Sequence, residues 1–303
     1  MDRRTCLHHL SAVGLAALPF SRMTTETVLK RKIPSSGELL PAIGLGTWQT
    51  FDVDDDAAAR APLKEVLKTL IAKGGRVIDS SPMYGTSEDV TGDLSTELNL
   101  NEQLFVATKV WTTGKENGIA QMNRSFAKLQ RKKIDLMQIH NLTDWQTHLR
   151  TLQAWKEEGR IRYLGITHYT ESAYTSIENI IKNNTVDFLQ INYSMLRRTA
   201  EERLFPLAQE KNVAVIINQP FEEGELFQRV KGIDLPEWAA AFDCHSWGQF
   251  FLKFILAKNA VTCVIPGTSK PHHMADNMEA AFGKLPDENQ QKQMLRLIEQ
   301  LKK

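Results

Sequence analysis

Apolar and polar positions along the chain alternate in two rhythms. Short, nearly continuous apolar runs recur at Ile43–Thr47, Val77–Ser80, Leu104–Val110, Ile134–His140, Tyr163–Thr167, Phe188–Asn192, Ala214–Asn218 and Val261–Ile265. Runs of that length and character suit strands covered on both faces. Between them lie segments with helical spacing, among them Ala58–Lys73, Ile119–Leu129, Leu149–Glu158, Tyr174–Lys182 and Glu201–Lys211. Eight strands with intervening helices predict a (β/α)8 TIM barrel rather than an open sheet. Ahead of the first strand, Leu29–Ile33 and Leu39–Ile43 read as a hairpin turning at Ser35-Ser36-Gly37. After the last, Pro286–Leu301 reads as a terminal helix, with Asp287 as its cap and Met294, Leu295, Leu297, Ile298 and Leu301 as its apolar stripe. The longest irregular connection, Glu222–Ala241, follows the seventh strand.

The apolar pattern breaks at the strand ends. Asp79 closes the second strand, and Tyr84 follows it across a turn marked by Pro82 and Gly85. Ser87-Glu88-Asp89 then offers an N-cap with early acids for the next helix. The third strand ends in Lys109 and the fourth in His140. Lysine and histidine are costly inside a strand end unless they are paired or used. The C-terminal ends of barrel strands are also where this architecture keeps its chemistry. A tyrosine hydroxyl ordinarily titrates near pH 10, so it is a reluctant acid at neutrality. A nearby ammonium, held by a carboxylate, is expected to lower that value. His140 would orient a carbonyl oxygen or share in passing it a proton.

Asp79, Tyr84, Lys109 and His140, in this order and context, resemble the catalytic tetrad of the aldo-keto reductases. The similarity runs from about Leu29 onward and includes the opening Ile43-Gly44-Leu45-Gly46-Thr47-Trp48. The resemblance implies a barrel whose bottom is plugged by the hairpin. It also implies NADP(H), with NAD(H) left open, lying extended across the barrel mouth, and a small carbonyl or alcohol substrate. By the same resemblance, Gly46, Thr47 and Trp48 lie beside the cofactor, and Gln190 holds the nicotinamide carboxamide together with the pair after the fifth strand. That pair is Thr167-His168 here, where Ser-Asn is usual. The aromatic residue that normally stacks on the ring is replaced by Asn218, ahead of Gln219-Pro220-Phe221, so that Pro220 and Phe221 become candidate neighbours of the ring. Gly267-Thr268-Ser269-Lys270 runs into a helix that starts near Pro271, a plausible cradle for a phosphate. Gly267 and His273 stand where many relatives carry the cations for the 2′-phosphate, and Asp276-Asn277 fits the pair that holds the adenine.

Composition changes this picture little. The chain has 303 residues, 42% of them hydrophobic, with a formal charge of +1. One barrel of about 250 residues accounts for most of that length. Near-neutral charge offers no electrostatic case for nucleic acid or an anionic membrane surface. Cys6, Cys244 and Cys263 form no disulfide framework. No H-E-x-x-H, C-x-x-C or post-strand G-x-G-x-x-G occurs, so metal and Rossmann readings lack support. Residues 1–28 read as a leader. Arg3-Arg4 precedes a short apolar run, Leu10–Phe20, which suggests twin-arginine export to the periplasm. Cys6, His8 and His9 depart from that motif; a degenerate leader would leave the protein in the cytoplasm. Residues 29–303 then form the barrel domain, expected to be a monomer. A second reading, a cofactor-loaded sensor or regulatory barrel with little turnover, draws on Asn218 and the Thr167-His168 pair.

Overall fold

A computed structural model describes residues 27–301. The leader reading falls almost wholly outside the described residues. A two-stranded antiparallel hairpin, β1 (Lys30–Lys32) and β2 (Leu39–Pro41), precedes eight parallel strands. These are β3 (Leu45–Gly46), β4 (Val77–Asp79), β5 (Phe105–Val110), β6 (Ile134–His140), β7 (Ile161–Thr167), β8 (Phe188–Asn192), β9 (Ala214–Asn218) and β10 (Val261–Val264), paired in sequence order. Bridges from Ile43 to Val264 and from Gly46 to Gly267 join the first strand to the last and close the ring. The Gly46 amide donates to the Pro266 carbonyl at 3.2 Å. Any Cβ at Gly46 would stand 2.9 Å from the Ile265 carbonyl oxygen, so the seam closes only around a glycine.

Side chains alternate in and out along each strand, which sorts the barrel interior into layers. The lower layers are apolar: Val77, Phe105, Ala107, Leu136, Tyr163, Phe188, Ala214, Ile216 and Cys263 form one buried cluster. Ile33 and Leu40 of the hairpin belong to the same cluster, so the hairpin stoppers the N-terminal end of the barrel. Glu38 in the hairpin fastens the stopper. It accepts from the Tyr163 hydroxyl at 2.7 Å and pairs with Arg76 and Arg162. One or two steps of two residues up the strands, the inward positions become Asp79, Lys109, Gln138, His140, Thr167, Gln190, Asn192 and Asn218. The second, larger cluster lies between the strands and the helices that surround them.

Ten α-helices occur among the described residues, the first, α1, spanning Ala57–Ala72 and the last, α10, Glu288–Gln300. The terminal helix carries the expected Asp287 cap as a full capping box with Gln290. Three expectations change. The helix after β4, α2 (Ser87–Glu97), starts one residue earlier than the cap reading required. Ser87 is its first helical residue, and Glu88 is buried, accepting from Thr108 at 2.5 Å and Ser125 at 3.1 Å rather than facing the helix end. The Glu201–Lys211 segment is a 3₁₀ turn, Thr199–Glu201, followed by a shorter helix, Leu204–Glu210. The connection after β9 is not irregular throughout: it contains Glu225–Arg229 as a short helix and Glu237–Phe242 as a 3₁₀ segment.

Candidate active site

The polar upper layer converges on Asp79. Its Oδ2 accepts from Lys109 Nζ at 2.5 Å, and its Oδ1 accepts from Gln138 Nε2 at 3.0 Å and Gln190 Nε2 at 2.8 Å. Lys109 is wholly buried and also donates to the Ser80 carbonyl at 2.7 Å. Its ammonium lies 4.9 Å from the centre of the Tyr84 ring. The Tyr84 and His140 rings meet edge to face at 5.8 Å. Thus the four strand-end residues singled out in the sequence are brought together at one mouth of the barrel.

Their protonation follows from burial and neighbours. Burial raises the Tyr84 phenol above its ordinary value; Lys109 pulls the other way and Asp79 adds to the rise. Burial therefore outweighs the ammonium, and the expected lowering of Tyr84 is corrected to a net increase. Burial opposes the Lys109 charge, but Asp79 and Tyr84 more than offset it and hold the ammonium above its usual value. At neutral pH the site thus holds a protonated phenol beside a charged lysine. Burial, then Lys109, then His168 push His140 down to about 2, so its imidazole is neutral. Ser81 Oγ lies 3.0 Å from His140 Nδ1 and accepts from the Met83 amide at 3.3 Å.

The depressed His140 value has a consequence for stability. An unfolded chain takes up the His140 proton near pH 6.5, whereas the folded one resists it down to about 2. The contribution is complete above pH 6.5 and declines as pH falls through that window. Wild type is expected to lose up to about 1.4 kcal/mol per pH unit more than His140→Gln across the upper part of it. Urea unfolding at stepped pH checks this; parallel stability profiles would refute it.

A cavity of about 750 Å³ opens above the four residues. Its wall includes Gly46, Thr47, Trp48, Thr167, His168, Gln190, Asn218, Pro220, Phe221 and Gly267 from the sequence reading. Thr47 is pinned, its hydroxyl donating to the Asp79 carbonyl at 3.0 Å. Gln190 is engaged at both ends: besides its bond to Asp79, its Oε1 accepts from Thr167 at 3.2 Å. The Nδ1 of His168 accepts from the backbone amides of Tyr169 and Thr170 at 3.0 and 3.2 Å, which leaves its proton on Nε2. Phe221 lines the cavity while packing on Phe227 at 4.9 Å, part of an aromatic group with Phe251.

Beyond Gly267 the predicted cradle leaves the cavity wall. The Thr268 hydroxyl accepts the Lys270 amide at 3.1 Å, closing the turn before the helix that begins at Pro271. The rings of His272 and His273 sit edge to face, and His273 titrates below its ordinary value through burial, with His272 and Lys270 adding. Ser269 is exposed and Asn277 buried. Both oxygens of Asp276 are occupied, by Gln249 Nε2 and Ser246 Oγ, each at 2.7 Å. Sequence reasoning missed Ser81 and Gln138, which contact His140 and Asp79. Gln138 carried a signal, since it lies two residues before His140 on the same face of β6. Also missed were Met83, Tyr169 and Phe227, which with Trp48 and Trp111 put five exposed large apolar side chains on the cavity wall. Trp111 stands 6.4 Å from the His140 ring. An exposed apolar collar around convergent polar groups marks a binding cleft.

Residues 42–294 match the aldo/keto reductase family, and the chain belongs to it. It is 26% identical over 271 residues to the uncharacterized oxidoreductase YtbE of Bacillus subtilis, covering 84% of this chain and 88% of that one. It is 25% identical to the methylglyoxal reductase YeaE of Escherichia coli, covering 82% and 88%. Among solved structures, an aldo-keto reductase from Klebsiella pneumoniae in complex with NADPH superposes with a TM-score of 0.73 at 22% identity, covering 89% of this chain and 95% of that one. The holo form of an aldo-keto reductase from Bacillus halodurans gives 0.72 at 21% identity, covering 91% and 97%. These likenesses establish the shared barrel. Among the described residues no helix is long and apolar enough to cross a membrane.

Proposed function

We propose that the protein reduces small, uncharged carbonyl compounds with NADPH, Tyr84 serving as the proton donor. The observation that carries this reading is the buried Lys109 ammonium, clamped by Asp79 and set against a protonated Tyr84.

The residues fit a nicotinamide dinucleotide. Asn218 Oδ1 lies at the cavity and is buried without a hydrogen-bond partner, the kind of atom a carboxamide N–H would satisfy. Gly46, Thr47, Trp48, Thr167, His168, Gln190, Pro220, Phe221 and Gly267 would surround the ring and its ribose. Thr268, Ser269, Lys270 and His273 would meet the phosphates at the helix beginning at Pro271, and Asn277 the adenine. NADP or NADPH is bound in two solved Klebsiella pneumoniae neighbours, which favours the phosphorylated form here. When bound, such a cofactor supplies the electron pair to the carbonyl carbon.

The chain's own residues do the rest. Tyr84 gives its proton to the carbonyl oxygen as charge develops there, and Lys109 stabilises the phenolate left behind. Asp79, fixed by Gln138 and Gln190, keeps the ammonium in place. Ser81 Oγ, which accepts from the Met83 amide, has its own proton free to give to His140 Nδ1. That arrangement leaves His140 Nε2 as the donor that orients the substrate oxygen.

The wall supports the substrate class. Its charged side chains are Asp79 and Glu223, both acidic, and no lysine or arginine lines it among the described residues. A carboxylate on the substrate would find no lysine or arginine on the wall and, with Asp79 already paired to Lys109, would meet Glu223. NADPH consumption with a neutral 2-oxoaldehyde is expected to exceed that with the corresponding 2-oxoacid by at least about tenfold in kcat/KM, a difference near 1.4 kcal/mol. Equal rates would refute the substrate class, and no NADPH consumption with any carbonyl would refute the function. Export by the twin-arginine leader remains part of the proposal, with Arg3-Arg4 as its support.

A further inference from the structure

The connection that follows β5 is held by side chains rather than by another strand. The ladder between β5 and β6 ends at Val110 and Ile139. At the next residue, Trp111, the partner is the side chain of Gln121 on α3 (Lys115–Lys128). Gln121 Oε1 accepts from the Trp111 amide at 2.6 Å, and its Nε2 donates to the Trp111 carbonyl at 3.1 Å. A carboxamide set in this way supplies the two bonds that a residue on a neighbouring strand would give. The hold continues along the loop. His148, wholly buried in α4 (Trp145–Glu157), donates from Nε2 to the Thr112 carbonyl at 2.7 Å. Asp144 Oδ2 accepts from the Gly114 amide at 2.8 Å, and Asn117 Nδ2 donates to the Thr113 carbonyl at 3.0 Å. Of these four loop residues only Trp111 lines the cavity, its exposed indole 6.4 Å from the His140 ring.

We infer that Gln121 is a positioning residue for the substrate. It does not line the cavity itself. It acts by fixing Trp111 as the wall on which the carbon body of the substrate rests beside His140. A wall held in place before the substrate arrives needs no ordering when the substrate binds. Released from Gln121, the same indole would have to be ordered at every encounter. The topology assigns this effect to the substrate and not to the cofactor. Trp111 follows β5, which lies between the strands that carry Asp79 and His140. The residues proposed for the cofactor belong to β3, to β7 through β10, and to the segments that follow them. The inference rests on the proposed carbonyl reduction.

Gln121→Met has similar length and neither hydrogen bond. With a neutral aldehyde bearing a phenyl ring, it is expected to raise KM about tenfold. The single-turnover rate at saturation and the affinity for NADPH should both stay within about twofold of wild type. In a Trp111→Ala background the same substitution should change KM by less than about twofold, because the residue it positions is gone. An unchanged KM in Gln121→Met would overturn the inference. So would an equal rise in KM with Trp111 and without it, or a matching loss of NADPH affinity. Gln121→Glu keeps the acceptor for the Trp111 amide and loses the donor to its carbonyl, and it provides the same comparisons should the methionine variant fail to fold. Failure of the proposed function is a separate result: wild type would then consume no NADPH with any carbonyl. In that case the hold on Trp111 is read from the fluorine spectrum of protein carrying fluorotryptophan, its signal identified by loss in Trp111→Phe. That signal should shift or broaden in Gln121→Met; an unchanged signal overturns the inference.

Discussion

Tyr84→Phe is expected to lose about 10²–10⁴-fold in kcat, the range removed with a general acid, while NADPH affinity stays within about twofold. The substitution deletes one oxygen from a ring that otherwise keeps its place against His140 and above Lys109. Burial holds the phenol protonated at neutral pH, so wild type carries the proton that reduction consumes. The phenylalanine has none, and His140, pushed down to about 2, is no substitute as an acid. Single-turnover measurements, with the cofactor prebound and a carbonyl added, isolate this step from product release. A rate within twofold of wild type would remove Tyr84 from the proton-donor role.

Lys109→Met should be costly in two ways. Lys109 is wholly buried, bonded to Asp79 and Ser80, and set 4.9 Å from the centre of the Tyr84 ring. Removing one partner of a buried ion pair commonly costs about 3–5 kcal/mol, because the other charge stays behind. Asp79 would retain Gln138 and Gln190 but lose its counter-charge. The raised Lys109 value works in the same direction: its stabilisation is full below the unfolded lysine value of 10.5 and fades only as pH climbs through the higher folded one. Wild type should therefore lose stability at strongly alkaline pH, and the methionine variant should not show that loss. Activity should fall at least as far as in Tyr84→Phe, with a changed pH profile. Chemical denaturation paired with a pH–rate series separates the two effects. Near-wild-type stability would show that the pair contributes little, and an unchanged profile would break the link between Lys109 and Tyr84.

The barrel was legible because eight short apolar runs alternate with helical segments, and its four central residues because polar side chains break the pattern at the strand ends. Their place at successive strand ends sends Asp79, Lys109 and His140 to the same mouth of the barrel without any knowledge of distance. What the sequence could not rank was burial against charge at Tyr84, since both depend on how much protein surrounds the hydroxyl. The cap at Ser87 failed for a related reason: Glu88 has the sequence signature of a first-turn acid, but packing against Thr108 and Ser125 decides its role. The helix Trp247–Leu256 escaped notice because it is buried along nearly its whole length and reads as one mostly apolar run. Met83, Tyr169 and Phe227 come from three separate strand-to-helix connections, and only their shared wall relates them.

The hairpin fixed by Glu38 has one more consequence. With the barrel floor stoppered, traffic through the interior is one-way in space: whatever reaches His140 from above must depart by the same opening. Two occupants of such a blind well cannot exchange independently. Any two occupants would therefore share that single opening for both arrival and departure.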